Sequence, residues 1–288
     1  MKRYWFALLL CVMWIVSSCS SATPTTPSPP PLATTAAATV APVSPSPKAI
    51  PPTTAPTATL EPPSPTTAPT STIEPTPLTT ESTLPAILDH LRALGHASFR
   101  LDGPPTIYFD PTTLRDETIP ANIILISHEH NDHYLPSVLR QISTVETVII
   151  TNDTVAAKLK NANVAGEVRA LKPGEETTVG DVVIQTVPAY NTDTSHHPKE
   201  ALGLGFIVTL DGERLYFAGD TDRIPEMQYI ECDVALLPIG GFYTMNIQEA
   251  AEAAADIGAK VVVPMHERDA NPEEFRDLCD CTVVILKP

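Results

Sequence analysis

The 288-residue sequence contains no Gly-x-Ser-x-Gly segment and no glycine-rich phosphate loop. Those absences remove two common routes to hydrolysis, a serine held on a strand-to-helix elbow and a nucleotide cradled by main-chain N–H groups. Lysine and arginine form no cluster either, and the formal net charge is −16. A nucleic-acid backbone is usually met by such a cluster, so nucleic acid is excluded as the expected partner. Nowhere does an apolar run reach the roughly 20 residues that a transmembrane helix needs. Glycine and aromatic residues are both absent between Ser20 and Thr83, where 17 of the 31 prolines fall.

That proline-rich stretch divides the chain. Before it, Lys2 and Arg3 precede an uncharged apolar run, Trp5 to Val16, and then Val16-Ser17-Ser18-Cys19. The order basic, apolar, small is that of a secretory signal. Val-Ser-Ser-Cys resembles the lipobox of bacterial lipoproteins, which implies a lipidated Cys19 and an exported protein anchored on the extracytoplasmic side of a membrane. An ordinary cleaved signal, giving a secreted protein, is the alternative. Residues 20–83, rich in Pro, Thr, Ala and Ser, offer too little apolar surface to offset the entropy of ordering. They are expected to form a disordered, extended stalk. Basic and acidic residues balance three to three over residues 1–83, so the whole net charge belongs to residues 84–288. A small anionic substrate stays open there, because bound cations would reverse the local field.

Residues 84–288 suit one sizeable domain. Three segments, 99–109, 177–187 and 204–219, each read as a pair of strands around an Asp-Gly or Gly-Asp turn, since glycine tolerates the positive φ of tight turns. Helices are expected over 135–142, 153–161 and 246–258. The last is the best defined, with Asn246 and Glu249 spaced as a capping box and Gly258 placed to end it. Hairpins mixed with strand-helix-strand units predict two sheets faced by helices, a layered α/β sandwich.

The chemistry concentrates in SHEHNDHY, Ser127 to Tyr134, directly after the apolar strand run 122–126. His128 and His130 are two apart, so on an extended backbone their rings point the same way and can reach one metal. Asp132 and His133 follow where the chain turns and can reach a second. Imidazole and carboxylate donors suit zinc, manganese or iron. Two ions want more donors than these four residues supply, and two further strand ends offer them. YFAGDTD delivers Asp220, a carboxylate able to bridge two cations, and VVVPMH delivers His266.

With LGHASF, IYFDP, SHEHNDH, GDTD and PMH in this order, residues 90–268 resemble the metallo-β-lactamase superfamily, closest to the branch that also contains the ascorbate-6-phosphate lactonases. The resemblance implies a four-layer αββα sandwich. It assigns His128 and His130 to a first metal, Asp132, His133 and His266 to a second, and Asp220 to both. It also makes Asp110 a hydrogen-bonding support for the histidine loop and places His96 near the pocket as a substrate-facing or supporting group. In that superfamily a further histidine usually completes the first metal from a strand end between these motifs, and here the strand end carries Tyr190-Asn191. His197 is the preferred substitute, with His196, Asn191 or a water as alternatives.

Two divalent ions, zinc before manganese or iron, would hold a hydroxide that attacks a small ester, lactone or phosphodiester, oriented by Asp132. A redox di-iron protein of this fold resembles H-x-E-x-D-H, and His130 stands where that pattern has Glu. A binding lipoprotein that keeps the metal without turnover is the remaining alternative. The acidic balance and the absence of a following β-CASP-like or RNA-binding domain argue against a nuclease. The loop PIGGFYTM, 238–245, resembles a pocket wall of the same branch. Cys11 would leave with the signal. Of the rest, Cys232 is expected to pair, if at all, with Cys279 or Cys281.

Overall fold

A computed structural model of the chain describes residues 84–115, 118–193 and 196–288. The expected signal, the Cys19 anchor and the 20–83 stalk lie outside the described residues. Among the described residues no helix is long and apolar enough to cross a membrane.

Among the described residues, thirteen strands and five α-helices follow one another from helix α1 (Ile87–His90) onwards. The first sheet contains β1 (Leu91–Gly95), β2 (Ser98–Leu101), β3 (Ile107–Phe109), β4 (Ile123–Ile126), β5 (Val148–Thr151) and β6 (Glu167–Ala170), in that spatial order. Its hairpins are antiparallel up to β3, and β3 to β6 run parallel. Helices α2 (Pro136–Ile142) and α3 (Asp153–Leu159) make the crossovers on either side of β5. The second sheet begins with β7 (Glu176–Val179), β8 (Val182–Ala189), β9 (Gly203–Leu210) and β10 (Glu213–Phe217), all antiparallel. Parallel strands β11 (Val234–Pro238), β12 (Val261–Met265) and β13 (Thr282–Val283) complete it, joined through α4 (Ile247–Ile257) and α5 (Pro272–Leu278).

The period-two alternation of side chains sorts the layers. From β3, β4 and β5, Phe109, Leu125 and Ile150 enter one core with Phe206, Leu215 and Phe217 of the second sheet. Their neighbours Tyr108, Ile124, Ile126 and Ile149 face the other way, against Leu139 and Ile142 of α2 and Val155 and Leu159 of α3. The continuous apolar run of β4 is therefore a strand buried on both faces. Helix α4 brings Ala250, Ala253 and Ala254 to the core of the second sheet. The result is helix, sheet, sheet, helix, the α/β layering expected. Asn246 accepts from the Glu249 N–H and Gly258 ends α4 at φ 67°, with the capping box formed in both directions.

The cysteines correct the expectation. Cys279 and Cys281 pair with each other across Asp280, and Cys232 is free at the margin of the core. Cys279 ends α5 and the chain reverses through Asp280 into β13, which brings its nearest cysteine neighbour alongside.

The ring contact between Phe109 and Phe217, with centroids 5.3 Å apart, joins the two sheets where both are fully buried. Phe109→Ala is expected to lower unfolding stability by about 3–5 kcal/mol, read from the urea midpoint. A loss below about 1 kcal/mol would contradict the shared inter-sheet core.

Candidate metal centre

The candidate site residues gather because each parallel strand run ends at the same edge. Asp110 follows β3, His128 follows β4, Asp220 follows β10 and His266 follows β12, while Asn191 follows β8 and His96 sits in the β1–β2 turn. Ligand sites of open α/β sheets lie at such carboxyl ends. The two sheets are stitched there by main-chain bonds: Leu204 donates to the Ser127 carbonyl at 3.0 Å and His266 donates to the His96 carbonyl at 3.1 Å. Two glycines permit close approach of neighbouring strand ends in the second sheet. A Cβ on Gly219 would lie 2.9 Å from the Leu204 oxygen and also 3.1 Å from Ser127 Cβ of the first sheet, and one on Gly240 only 2.3 Å from the His266 oxygen. His96, Asp110, His197 and His266 all hold positive φ, between 40° and 54°. Such left-handed non-glycine residues are uncommon and cluster at functional sites, where the surrounding structure over-determines them.

Asp110 is fully buried and accepts three hydrogen bonds. The Ser127 N–H donates to Oδ1 at 2.7 Å, the Ser127 hydroxyl to Oδ2 at 2.5 Å, and His133 Nδ1 to Oδ2 at 2.7 Å. Since the Ser127 proton goes to Asp110, the 2.9 Å contact between Ser127 Oγ and His128 Nδ1 has His128 donating. Both His128 and His133 thereby carry a proton on Nδ1 and turn Nε2 inward. A chain on the other side does the same for His197. Asn191 donates from Nδ2 to Asp222 Oδ1 at 2.7 Å and to the Tyr243 carbonyl at 3.0 Å, which aims its own Oδ1 at His197 Nδ1, 2.8 Å away. Supporting bonds of this kind fix the tautomer and direction of metal-binding imidazoles.

The inward atoms form two groups. His130 Nδ1 lies 3.1 Å from His128 Nε2 and 3.0 Å from His197 Nε2. His96, Asp132, His133 and His266 form the second, their ligand atoms all within 4.8 Å of one another. Asp220 lies between the groups. Its Oδ1 is 3.2 Å from His133 Nε2, and its Oδ2 is 3.4 Å from His266 Nε2, 3.7 Å from His197 Nε2 and 4.0 Å from His128 Nε2. Of the substitutes weighed for the missing histidine, His197 faces this cluster, Asn191 orients it, and His196 stacks on Tyr243 at 3.5 Å between centroids. Asp132 takes a hydrogen bond from His96 Nε2 at 3.2 Å, and its side chain is 44 % exposed.

The residues fit a cation on an observation of their own. His133 Nε2 and Asp220 Oδ1 face each other at 3.2 Å without forming a hydrogen bond, and both ring nitrogens of His266 are buried without a hydrogen-bond partner. Leaving such atoms unmet is costly, and in native proteins it calls for an explanation such as an ion. In the metal-free protein, charge is shared as the geometry dictates. Burial opposes a charge on His133, yet Asp220 and Asp110 together raise its pKa well above the ordinary value. Burial, reinforced by repulsion from His133, lowers that of His128, and burial lowers that of His197. Burial alone would raise Asp220, but His133 and His266 hold it well below the usual carboxylate range. The hydrogen bond from His96 does the same for Asp132.

Sequence reasoning missed Ser127, Asp222 and the Tyr243 carbonyl. Ser127 and Asp222 stand inside the quoted motifs, but the bond that Ser127 donates and the bond that Asp222 accepts go to partners 17 and 31 residues away.

Residues 90–266 match the model of the β-lactamase superfamily domain. The UPF0173 metal-dependent hydrolase of Pyrococcus abyssi is 34 % identical over 221 residues, covering 69 % of this chain and 96 % of that one. Among solved structures, a candidate metal-dependent hydrolase from Parabacteroides distasonis aligns with a TM-score of 0.61 at 34 % identity, over 68 % of this chain and 93 % of that one. Igni18, a metallo hydrolase from Ignicoccus hospitalis, aligns at 0.58 and 27 % identity over 69 % and 94 %.

The raised pKa of His133 has a sign that can be tested in metal-free protein. Its ion pairing stabilises the fold fully below the unfolded-chain value near 6.5 and is lost as pH rises through the higher folded value. His133→Gln should therefore destabilise the metal-free protein most below that value, and less at alkaline pH, in urea titrations across pH 5.5 to 9. A deficit that grows with pH would contradict the assignment.

Proposed function

The chain belongs to the metallo-β-lactamase superfamily, among relatives named UPF0173 metal-dependent hydrolases, and on that premise we propose that it hydrolyses a small ester, lactone or phosphodiester with two divalent metal ions. The observation that carries this reading is the pair of donor groups meeting at Asp220, where His133 Nε2, Asp220 Oδ1 and both ring nitrogens of His266 are buried without a hydrogen-bond partner. Under it, His128, His130 and His197 hold one ion, Asp132, His133 and His266 the other, and Asp220 reaches both. Zinc suits imidazole and carboxylate donors, with manganese or iron as substitutes. The lactone arm follows the resemblance to the ascorbate-6-phosphate lactonases.

When bound, such ions lower the pKa of water and polarise the bond to be cleaved. The protein's own residues supply the rest. Asp110 and Ser127 lock His128 and His133, and Asn191 locks His197, so the donors are aimed before any ion arrives. Asp132, ionised through its bond from His96 and half open to solvent, accepts a hydrogen bond from the attacking water and orients it. Its depressed pKa suits orientation better than storage of a proton. At the other end of the chain, a lipid on Cys19 and a stalk over residues 20–83 would hold the domain outside the cell; Cys19→Ala should then move the protein from the membrane fraction to the soluble one. Retention in the membrane fraction would contradict the anchor.

Three results follow for the enzyme. Chelation should abolish turnover and zinc should restore it. Asp220→Asn should reduce turnover to background with the fold intact by circular dichroism. Asp110→Asn should weaken zinc binding by about 10- to 100-fold, measured by competition with a chromogenic chelator. Full activity of Asp220→Asn would sink the proposal.

A further inference from the structure

We infer that this site takes an uncharged substrate, a short-chain carboxylic ester or lactone whose acyl chain lies against an apolar wall, in preference to a phosphodiester or a phosphate-bearing lactone. The inference rests on the hydrolase reading above and narrows it. A cavity of about 290 Å³ opens directly on His128, His130, His197 and Asp220. That is at the small end of ligand pockets. The β8–β9 side supplies its apolar lining, Ala189, Pro198, Ala201 and Leu204. Gly203 keeps that side close, since a Cβ there would lie 2.7 Å from the Ala189 oxygen.

Charge decides between the substrate classes. Apart from the metal-facing residues, the one charged side chain on the cavity is Glu129, and no lysine or arginine lines it among the described residues. The lysines nearby in sequence have other engagements. Lys158 donates to the main-chain oxygen of Glu129 at 3.3 Å, and Lys199 donates to Glu226 at 2.7 Å. A phosphodiester carries its negative charge before, during and after reaction, and sites that recognise it provide charge-assisted donors for the oxygens not bound to metal. Here those oxygens would face Glu129 and alkyl groups, with the His196 imidazole, stacked on Tyr243, as the single ring donor outside the metal-facing set among the described residues. A carboxylic ester is neutral on arrival and develops charge only on the carbonyl oxygen as water adds. The water oxygen bonds to the carbonyl carbon, the bond from that carbon to the alkoxy oxygen breaks, the alkoxide leaves with one proton of the water, and the acid is released as carboxylate with the other proton lost to solvent. An alkyl chain on the carbonyl carbon gains from the Ala189–Leu204 wall, and each buried methylene is worth roughly a four-fold gain in kcat/KM.

The test uses the purified, zinc-loaded protein with nitrophenyl acetate, propanoate and butanoate, a small aliphatic lactone, and bis(nitrophenyl) phosphate. The esters and lactone should outrun the phosphodiester, with kcat/KM rising about four-fold per methylene. Ala201→Phe, which fills the cavity from an exposed turn, should lower the butanoate-to-acetate ratio. It should also weaken binding of the neutral probe butanamide in saturation-transfer NMR, a readout independent of turnover. Preference for bis(nitrophenyl) phosphate, or a butanoate-to-acetate ratio unchanged by Ala201→Phe, would overturn the inference and leave the hydrolase reading standing. Turnover of neither class with zinc, manganese or iron would overturn both.

Discussion

The buried Asp110 carboxylate is the interaction on which the site depends. Complete burial pushes its pKa up, and an unpaired charge there would be prohibitively costly. Three short hydrogen bonds offset that cost, and all three come from the loop that follows β4. The same bonds that make the carboxylate tolerable therefore hold that loop to the end of β3 and choose the protonated nitrogen on two histidines. Remove Asp110 and the fold would lose little apolar surface, while the donor set would lose its direction.

A second constraint is the convergence of strand ends. Parallel pairing of β3 with β4, and of β10 with β11 and β12, sets their carboxyl ends on one edge. The inter-sheet core, with Phe109 against Phe217, brings the two edges together. Within the second sheet, Gly219 and Gly240 let neighbouring strand ends close to distances a side chain would forbid, and four left-handed residues turn their side chains inward. Rigidity of the layers thus becomes precision in the cluster. Packing far from the site brings the donors together, and the bonds of Asp110 and Asn191 aim them.

Much of this was legible in the sequence because it is local. The continuous run of β4, the turns at Asp102-Gly103, Gly180-Asp181 and Asp211-Gly212, and the Asn246–Glu249 cap all depend on neighbours a few residues apart. The strand ends that carry the candidate donors were visible for the same reason. The pairing of cysteines was not, since the bond between Cys279 and Cys281 turns on how the chain reverses after α5. Nor was the part played by Asn191. A strand-end asparagine where a histidine is usual reads as a loss, and only the fold shows it between Asp222 and His197, orienting the ring that faces His128 and His130.

The most direct test of the proposed dinuclear centre is the metal content per chain, measured by inductively coupled plasma mass spectrometry on purified wild type beside His197→Ala. Two ions per wild-type chain, falling to one when His197 is removed while the pair at His133 and His266 stays filled, is the expected result. No bound metal in the wild type after reconstitution with zinc, manganese or iron would contradict it.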